Sequence, residues 1–368
     1  MVTSQRPSTL YIGSGPEITW YDVDVDAADI AERGSLRLPG NAGGGWPHPS
    51  REFLYVTTNQ QGQRGGMAQI NALRIDPADG ALSLHGAPAG PSVGGSICVD
   101  NDGTHVYAVS TRLPTIDAFR INADATLGVA IPQAPDIDVG VFTHQVRVMP
   151  SGRSVLLVAR GYDPKDSRPE VPGALKVLAT NDGVLTPRAS IEPAGYGFGA
   201  RHMDFHPTKP WFYVSVERHN EIDMFETEPG DVVSPEPKYR TNTLSHPRPE
   251  GVLQGVGPIH VHPNGRTVYL TNRSDGDGED NIAVCSIDPT TGEPRVIQHA
   301  AHQGRHVATF AIDHTGRVLV AVSARNYDDA RCGITTFRIQ DDGRLELVKK
   351  YDMGDKGSLS CTALMAPA

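Results

Sequence analysis

Short stretches in which apolar and polar positions alternate recur along the whole chain, with turn residues between them. One recurring pattern is a β-rich run closed by a Gly, Asp or Asn turn: ITWYDVD (18–24), INALRID (70–76), IDAFRIN (116–122), LKVLATN (175–181), IDMFETE (222–228), IAVCSID (282–288) and ITTFRIQ (334–340). Their central residues, Tyr21, Leu73, Phe119, Leu178, Phe225, Cys285 and Phe337, are separated by 52, 46, 59, 47, 60 and 52 positions. A second pattern runs in phase with the first, two strand-like runs around a tight turn. It reads PHPSREFLYV (47–56), VDNDGTHVYAV (99–109), VMPSGRSVLLV (148–158), FHPTKPWFYV (205–214), VHPNGRTVYL (261–270) and IDHTGRVLVAV (312–322). Alternating β-branched runs around Pro, Asn and Gly are hairpin signatures. No long run of helical period competes with them.

About four short strands per unit, seven times over, predict an all-β fold: a seven-bladed β-propeller of four-stranded antiparallel blades. The units use up residues 1–368, so a single propeller domain is expected. The ends add a check. The head STLYIGSG (8–15) resembles only the second strand of a hairpin, and the tail SLSCTALMAPA (358–368) only the first. Together they predict a ring closed by N- and C-terminal strands sharing one blade, which leaves no free sheet edge between the chain ends.

Composition narrows the function. With 33 basic and 43 acidic residues the chain carries a net charge of -10, which argues against a nucleic-acid surface. No apolar run approaches the roughly 20 residues of a membrane span, and Met1–Pro7 is polar, without a signal-peptide core. Cys98, Cys285, Cys332 and Cys361 lie far apart and form no CxxC pair, so they read as reduced thiols. The expectation is a cytoplasmic protein, a monomer or weak homo-oligomer, without metal or cofactor.

Counting from the turn residue of each inner hairpin places side chains around the axis. Residues equidistant from a turn face each other in an antiparallel pair. The sixth residue before and the tenth after Pro49, Asn101, Pro150, Pro207, Pro263 and His314 give Gly43 with Asn59, Gly95 with Thr111, His144 with Arg160, Arg201 with Glu217, Gly257 with Arg273, and Ala308 with Ala324. Three successive blades thus place ionisable groups at one level, and the others place small or neutral ones. This predicts a one-sided pocket at the mouth of the central funnel. The plain alternative for each residue is a solvated charge at a strand end. His260 lies on an inner strand just below Gly257 and joins the candidates, whereas His48, His206 and His262 abut turns and read as turn-stabilising.

Other motifs carry less. GYGFGARH (195–202) lacks the spacing and following helix of a dinucleotide loop, and neither a P-loop nor a nucleophile elbow is present. RSDGDGEDN (273–281) does not keep the ligand order of a calcium loop. His299, His302 and His306 would face one way only on a helix, and they precede a strand.

The chain resembles the seven-bladed propeller lactonases typified by bacterial 6-phosphogluconolactonase, whose sister group is the 3-carboxy-cis,cis-muconate cyclases. The most specific piece is GARHMDFHPTKPWFYVSVE (199–217), with FTHQVRVMPSG around His144, VYLTNR ending at Arg273 and GPIHVHPNG around His260. The resemblance implies catalytic roles for His144, Arg201, Glu217 and Arg273, and substrate contacts from His260, Arg160, His202 and Ser96. Ser96 stands where the phosphogluconolactonase-like members carry a His, and Ala308 where many carry an Arg. The implied activity is a lactonase of carbohydrate metabolism that hydrolyses the ester of a small anionic lactone, with Glu217 and His144 as base and acid and the arginines on the anion. A lactonising cyclase, a non-catalytic binding platform and a metal-dependent propeller hydrolase are the alternatives.

Overall fold

A computed structural model of the chain describes residues 8–59, 68–92, 95–193, 195, 197–274, 277–302, 305–325, 333–353 and 359–365. Cys332, Met1–Pro7 and part of the acidic 273–281 loop lie outside these residues, as do the side chains of the last strand, Cys361 included. The described residues form seven antiparallel sheets and no helix. Counted from Asn41, the inner hairpins are Asn41–Pro47 with Phe53–Asn59 in blade one and Ser96–Val99 with His105–Val109 in blade two. Thr143–Val148 with Ser154–Ala159 and Ala200–Phe205 with Trp211–Val216 follow in blades three and four. Gln254–Val261 with Thr267–Ser274 and Arg305–Ile312 with Val318–Arg325 complete blades five and six. Blade seven takes its inner strand, Leu359–Met365, from the end of the chain and its second, Ser8–Ser14, from the beginning. Each innermost strand touches the next, and the last touches the first, so the ring is complete.

The blades hold together through their faces. Seven apolar clusters fill the seven blade junctions, for example Val146, Val155 and Leu157 of blade three against Tyr107 and Ile116 of blade two. Second strands are therefore covered on both sides, which is why Ser154–Ala159 and Trp211–Val216 are buried along their whole length and read as continuous apolar runs. Tyrosines on these strands lock each blade to its neighbour: Tyr11 Oη donates to Gly80 O, Tyr55 to Ala125 O, Tyr213 to Gly292 O and Tyr269 to Gly343 O, all at 2.8–2.9 Å. At the turns His48, His206 and His262 reach the carbonyls of Gly103, Gly265 and Gly316 in the following blade. These histidines hold turns, as their position suggested, and they do so across blades.

Two details depart from the sequence reading. Blades one and four split their outermost strand in two, Leu82–Leu84 with Ala89–Ser92 and Val232–Val233 with Tyr239–Asn242. Pro88 interrupts the first, and Pro235 and Pro237 the second, since proline has no N–H for the ladder. The counted cross-strand pairs are also displaced. Thr143 faces Ala159, Ala200 faces Val216, and Gly255 faces Arg273. The count misses by one residue at the turn and by one more beyond a β-bulge, which recurs in the inner pair of six blades. The bulge leaves His144 and Arg201 as the extra residues in blades three and four, and Ala308 in blade six. In blade one Gly43 and Gly44 face Thr57 alone, and in blade five Gly257 and Pro258 face Thr271 alone. A bulge bends its strand and re-aims the side chain it carries.

Candidate active site

Three equivalent positions supply the frame. Arg160 and Glu217 each follow the last residue of a second strand, and Arg273 occupies the same place in blade five, near the end of Thr267–Ser274. Backbone bonds fix them: Arg160 N donates to Phe142 O and Glu217 N to Gly199 O. The bulges of blades three and four then turn His144 and Arg201 toward the same point. The result is a cavity of about 520 Å³ at one mouth of the ring, lined by His144, Arg160, Arg201, Glu217 and Arg273 together with Phe142, Asp163, Arg218, Arg248, Leu253, Gln254, Gly255 and His306.

Glu217 is the hub. Its carboxylate meets Arg160 Nε, Arg273 Nη2 at 2.5 Å and Arg201 Nε at 3.2 Å. Burial works to raise this carboxyl, but the guanidiniums of Arg201, Arg273 and Arg160 outweigh it and hold it at about 2. The approach requires small neighbours: a Cβ on Gly257 would stand 2.5 Å from Arg273 Nε, and one on Gly255 2.7 Å from Glu217 Cγ. What reads in sequence as an arc of small residues is in part clearance for these side chains. A second pair of arms supports the rim, since Arg160 also reaches Asp163 and Arg218 bridges Asp163 and Glu170.

His144 and His202 are both held toward the neutral form. Burial, followed by the charges of Arg201 and Arg273, pushes the His144 imidazole well below its ordinary range. His202 is lowered in the same way, by burial first and then by Arg201 and His144. Its tautomer follows from geometry: Arg201 Nη1 lies 2.9 Å from His202 Nδ1, and a guanidinium only donates, so Nδ1 accepts and the ring proton sits on Nε2. His202 stands edge-on to His144 with ring centroids 4.6 Å apart. It thus backs Arg201 and His144 from below the cavity wall.

Of the eight residues singled out in the sequence, the structure brings His144, Arg160, Arg201, Glu217 and Arg273 to the cavity and His202 directly behind it. His260 and Ser96 lie elsewhere. The cross-strand partner of His260 is Tyr269, four residues below Arg273, or about 13 Å down the strand. There His260 pairs with Asp204 at 3.6 Å and packs edge-on against Phe310. Ser96 Oγ accepts a bond from Val146 N and ties blade two to blade three. Conversely, His306, Arg218 and Arg248 line the cavity without having been singled out for it. His306 Nε2 lies 3.4 Å from Arg273 Nη1, and its position two residues before the blade-six bulge was the available signal. Among the described residues no group of three metal-ligating side chains converges. Glu279 of the acidic loop instead accepts the backbone N–H groups of Ser245 and His246.

Comparison with known proteins decides the family. The family model described as lactonase, seven-bladed β-propeller, matches residues 9–361. The chain belongs to this lactonase family. Among curated relatives, the 6-phosphogluconolactonase of Bacillus subtilis (strain 168) is 27% identical over 325 residues, covering 84% of each chain. That of Klebsiella pneumoniae subsp. pneumoniae is 24% identical over 320 residues, covering 83% of each. Among solved structures, the periplasmic gluconolactonase of Pseudomonas aeruginosa superposes with a TM-score of 0.71 at 18% identity, covering 97% of this chain and 99% of that one.

Proposed function

We propose that this lactonase hydrolyses the ring ester of a sugar-acid lactone bearing a negative charge. One observation carries the reading: five arginines and only two carboxylates line a cavity in a protein of net charge -10. Such a surplus of fixed guanidiniums in a partly buried cleft fits a small anion and an oxyanion that develops during reaction.

The chemistry divides between the histidine and the arginines. Neutral His144 takes a proton from water as its oxygen adds to the lactone carbonyl. The tetrahedral oxyanion faces the guanidiniums, and collapse breaks the ring C–O bond. The imidazolium then returns its proton to the departing alkoxide, giving the open hydroxy acid. Glu217 has a different part from the one the sequence suggested. A carboxylate held at about 2 is a weak base, and its three ion pairs make it the clip that keeps Arg160, Arg201 and Arg273 converged. The buried free thiols Cys98 and Cys285 fit a reducing compartment and so support action in the cytoplasm; we further place the enzyme in carbohydrate metabolism, as a monomer or weak homo-oligomer.

The test is a lactone panel of 6-phosphogluconolactone, gluconolactone and carboxymuconolactone, with wild type, His144→Ala and Glu217→Gln. Loss of a general base costs about 10²–10⁴-fold in rate, so His144→Ala is expected to lose at least about 100-fold in kcat on the best substrate. Glu217→Gln is expected to lose both kcat and affinity, because the arginines lose their common partner. Full activity in His144→Ala would remove it as the base.

A further inference from the structure

Arg248 differs from the other cavity arginines. Arg160, Arg201 and Arg273 share Glu217, and Arg218 is bound to Asp163 and Glu170, but no ion-pair partner of Arg248 is found among the described residues. It is exposed, yet it lines the cavity beside Leu253, which is 70% exposed. An unpartnered guanidinium and an exposed leucine at the lip of a binding cavity suit a ligand that carries both charge and carbon skeleton out to that lip.

The segment presenting Arg248 is held at both feet. Upstream, the buried Thr243 donates to Asn272 Oδ1 and receives Asn272 Nδ2 on its carbonyl, while Glu279 accepts Ser245 N and His246 N. Downstream, Gln254 Nε2 donates to Arg273 O and Glu279 O, and Gln254 Oε1 accepts Glu279 N. Both feet are thereby fastened to the strand and loop that carry Arg273. Between them the sequence reads His246-Pro247-Arg248-Pro249. The two prolines fix their own φ angles and restrict Arg248 to extended backbone, so the backbone that presents its side chain is ordered before a ligand arrives.

We infer that Arg248 is a specificity-determining residue that reads the negative charge on the part of the substrate remote from the lactone carbonyl. This rests on the anionic-lactone reading of the same site. Arg248 binds the charged tail at the lip, the Glu217-centred arginines serve the reacting end, and the tail charge contributes to binding equally in ground and transition states.

The experiment compares wild type and Arg248→Gln on 6-phosphogluconolactone and on unphosphorylated gluconolactone. Uniform binding loss raises KM without lowering kcat. The expected result is a KM about tenfold or more higher for the phosphorylated lactone, kcat within about twofold, and both constants nearly unchanged for gluconolactone. An equal effect on both lactones, or none on either, overturns the assignment. If wild type hydrolyses neither, the sugar-acid lactone reading itself has failed, and calorimetry with 6-phosphogluconate and gluconate still tests Arg248. Arg248→Gln must then weaken the phosphorylated acid about tenfold more than the other, and equal affinities overturn the inference.

Discussion

At the scale of single residues, the cavity separates the states of neighbouring ionisable groups. Glu217 is kept charged by three guanidiniums, and the same positive charge, added to burial, keeps His144 neutral. The sign of the pH dependence follows. In the proposed mechanism the reactive form of His144 is the free base, and its protonation is shifted well below the ordinary histidine range. Lowering the pH through the ordinary histidine range should therefore leave His144 largely neutral. The kcat/KM profile should stay flat through that range, and its acid limb should lie on the acid side of it. An acid limb centred at 6.5 or higher, measured on the best substrate of the panel, would show either that His144 titrates normally or that another histidine is the base. Which residues belong to the site was partly legible in the sequence. Arg160, Glu217 and Arg273 share one position relative to their turns, so counting finds them together. Counting does not give depth, and His260, with the right parity, lies about 13 Å too far down its strand. Arg248 sits between prolines with no register to count from.

At the scale of strands, the inner pairs show why the counted register was displaced while the convergence survived. A bulge adds one residue to the inner strand, so everything beyond it slips against its partner. Nothing in the residue types of THQ or ARH announces the extra residue, and the same step occurs at Gly257-Pro258 and at Ala308. The second strands carry another feature hidden from the sequence, the tyrosine hydroxyls aimed at the next blade. Tyr213, Tyr269, Tyr11 and Tyr55 look like ordinary core aromatics until the ring brings a turn carbonyl to each. Tyr269→Phe isolates this contact, because the ring stays and only the bond to Gly343 O is lost. The buried carbonyl then has no replacement donor, and the variant should be less stable by about 1–2 kcal/mol. The denaturation midpoint should fall with the m-value and lactonase constants unchanged. An unaltered midpoint would mean that the hydroxyl contributes no net stability.

At the scale of the whole molecule, the chain ends close the ring. The fold was legible because seven units repeat at nearly even spacing and because each end of the chain supplies half a hairpin. The structure joins those halves: Ser8–Ser14 pairs with Leu359–Met365 along most of its length, and the last strand also contacts those of blades one and six. No helix among the described residues is long and apolar enough to cross a membrane. Removing residues 359–368 takes away the inner strand of blade seven while leaving every residue of the proposed site in place. The second strand is then exposed as a sheet edge, and the junctions with blades one and six lose their innermost layer. Because each junction has its own apolar cluster, blades three to five, which hold Glu217 and its arginines, retain their mutual packing. The truncated chain should thus keep its β-sheet signal while unfolding at a lower temperature and in a broader transition, with association through the freed edge. Its lactonase rate should fall well before its sheet content does, since the rim must hold three guanidiniums of like charge at one carboxylate. Circular dichroism melts, light scattering and kcat/KM on the same preparation separate these effects. A truncated chain that melts like the full ring and turns over substrate at the full rate would show that closure is dispensable to the site.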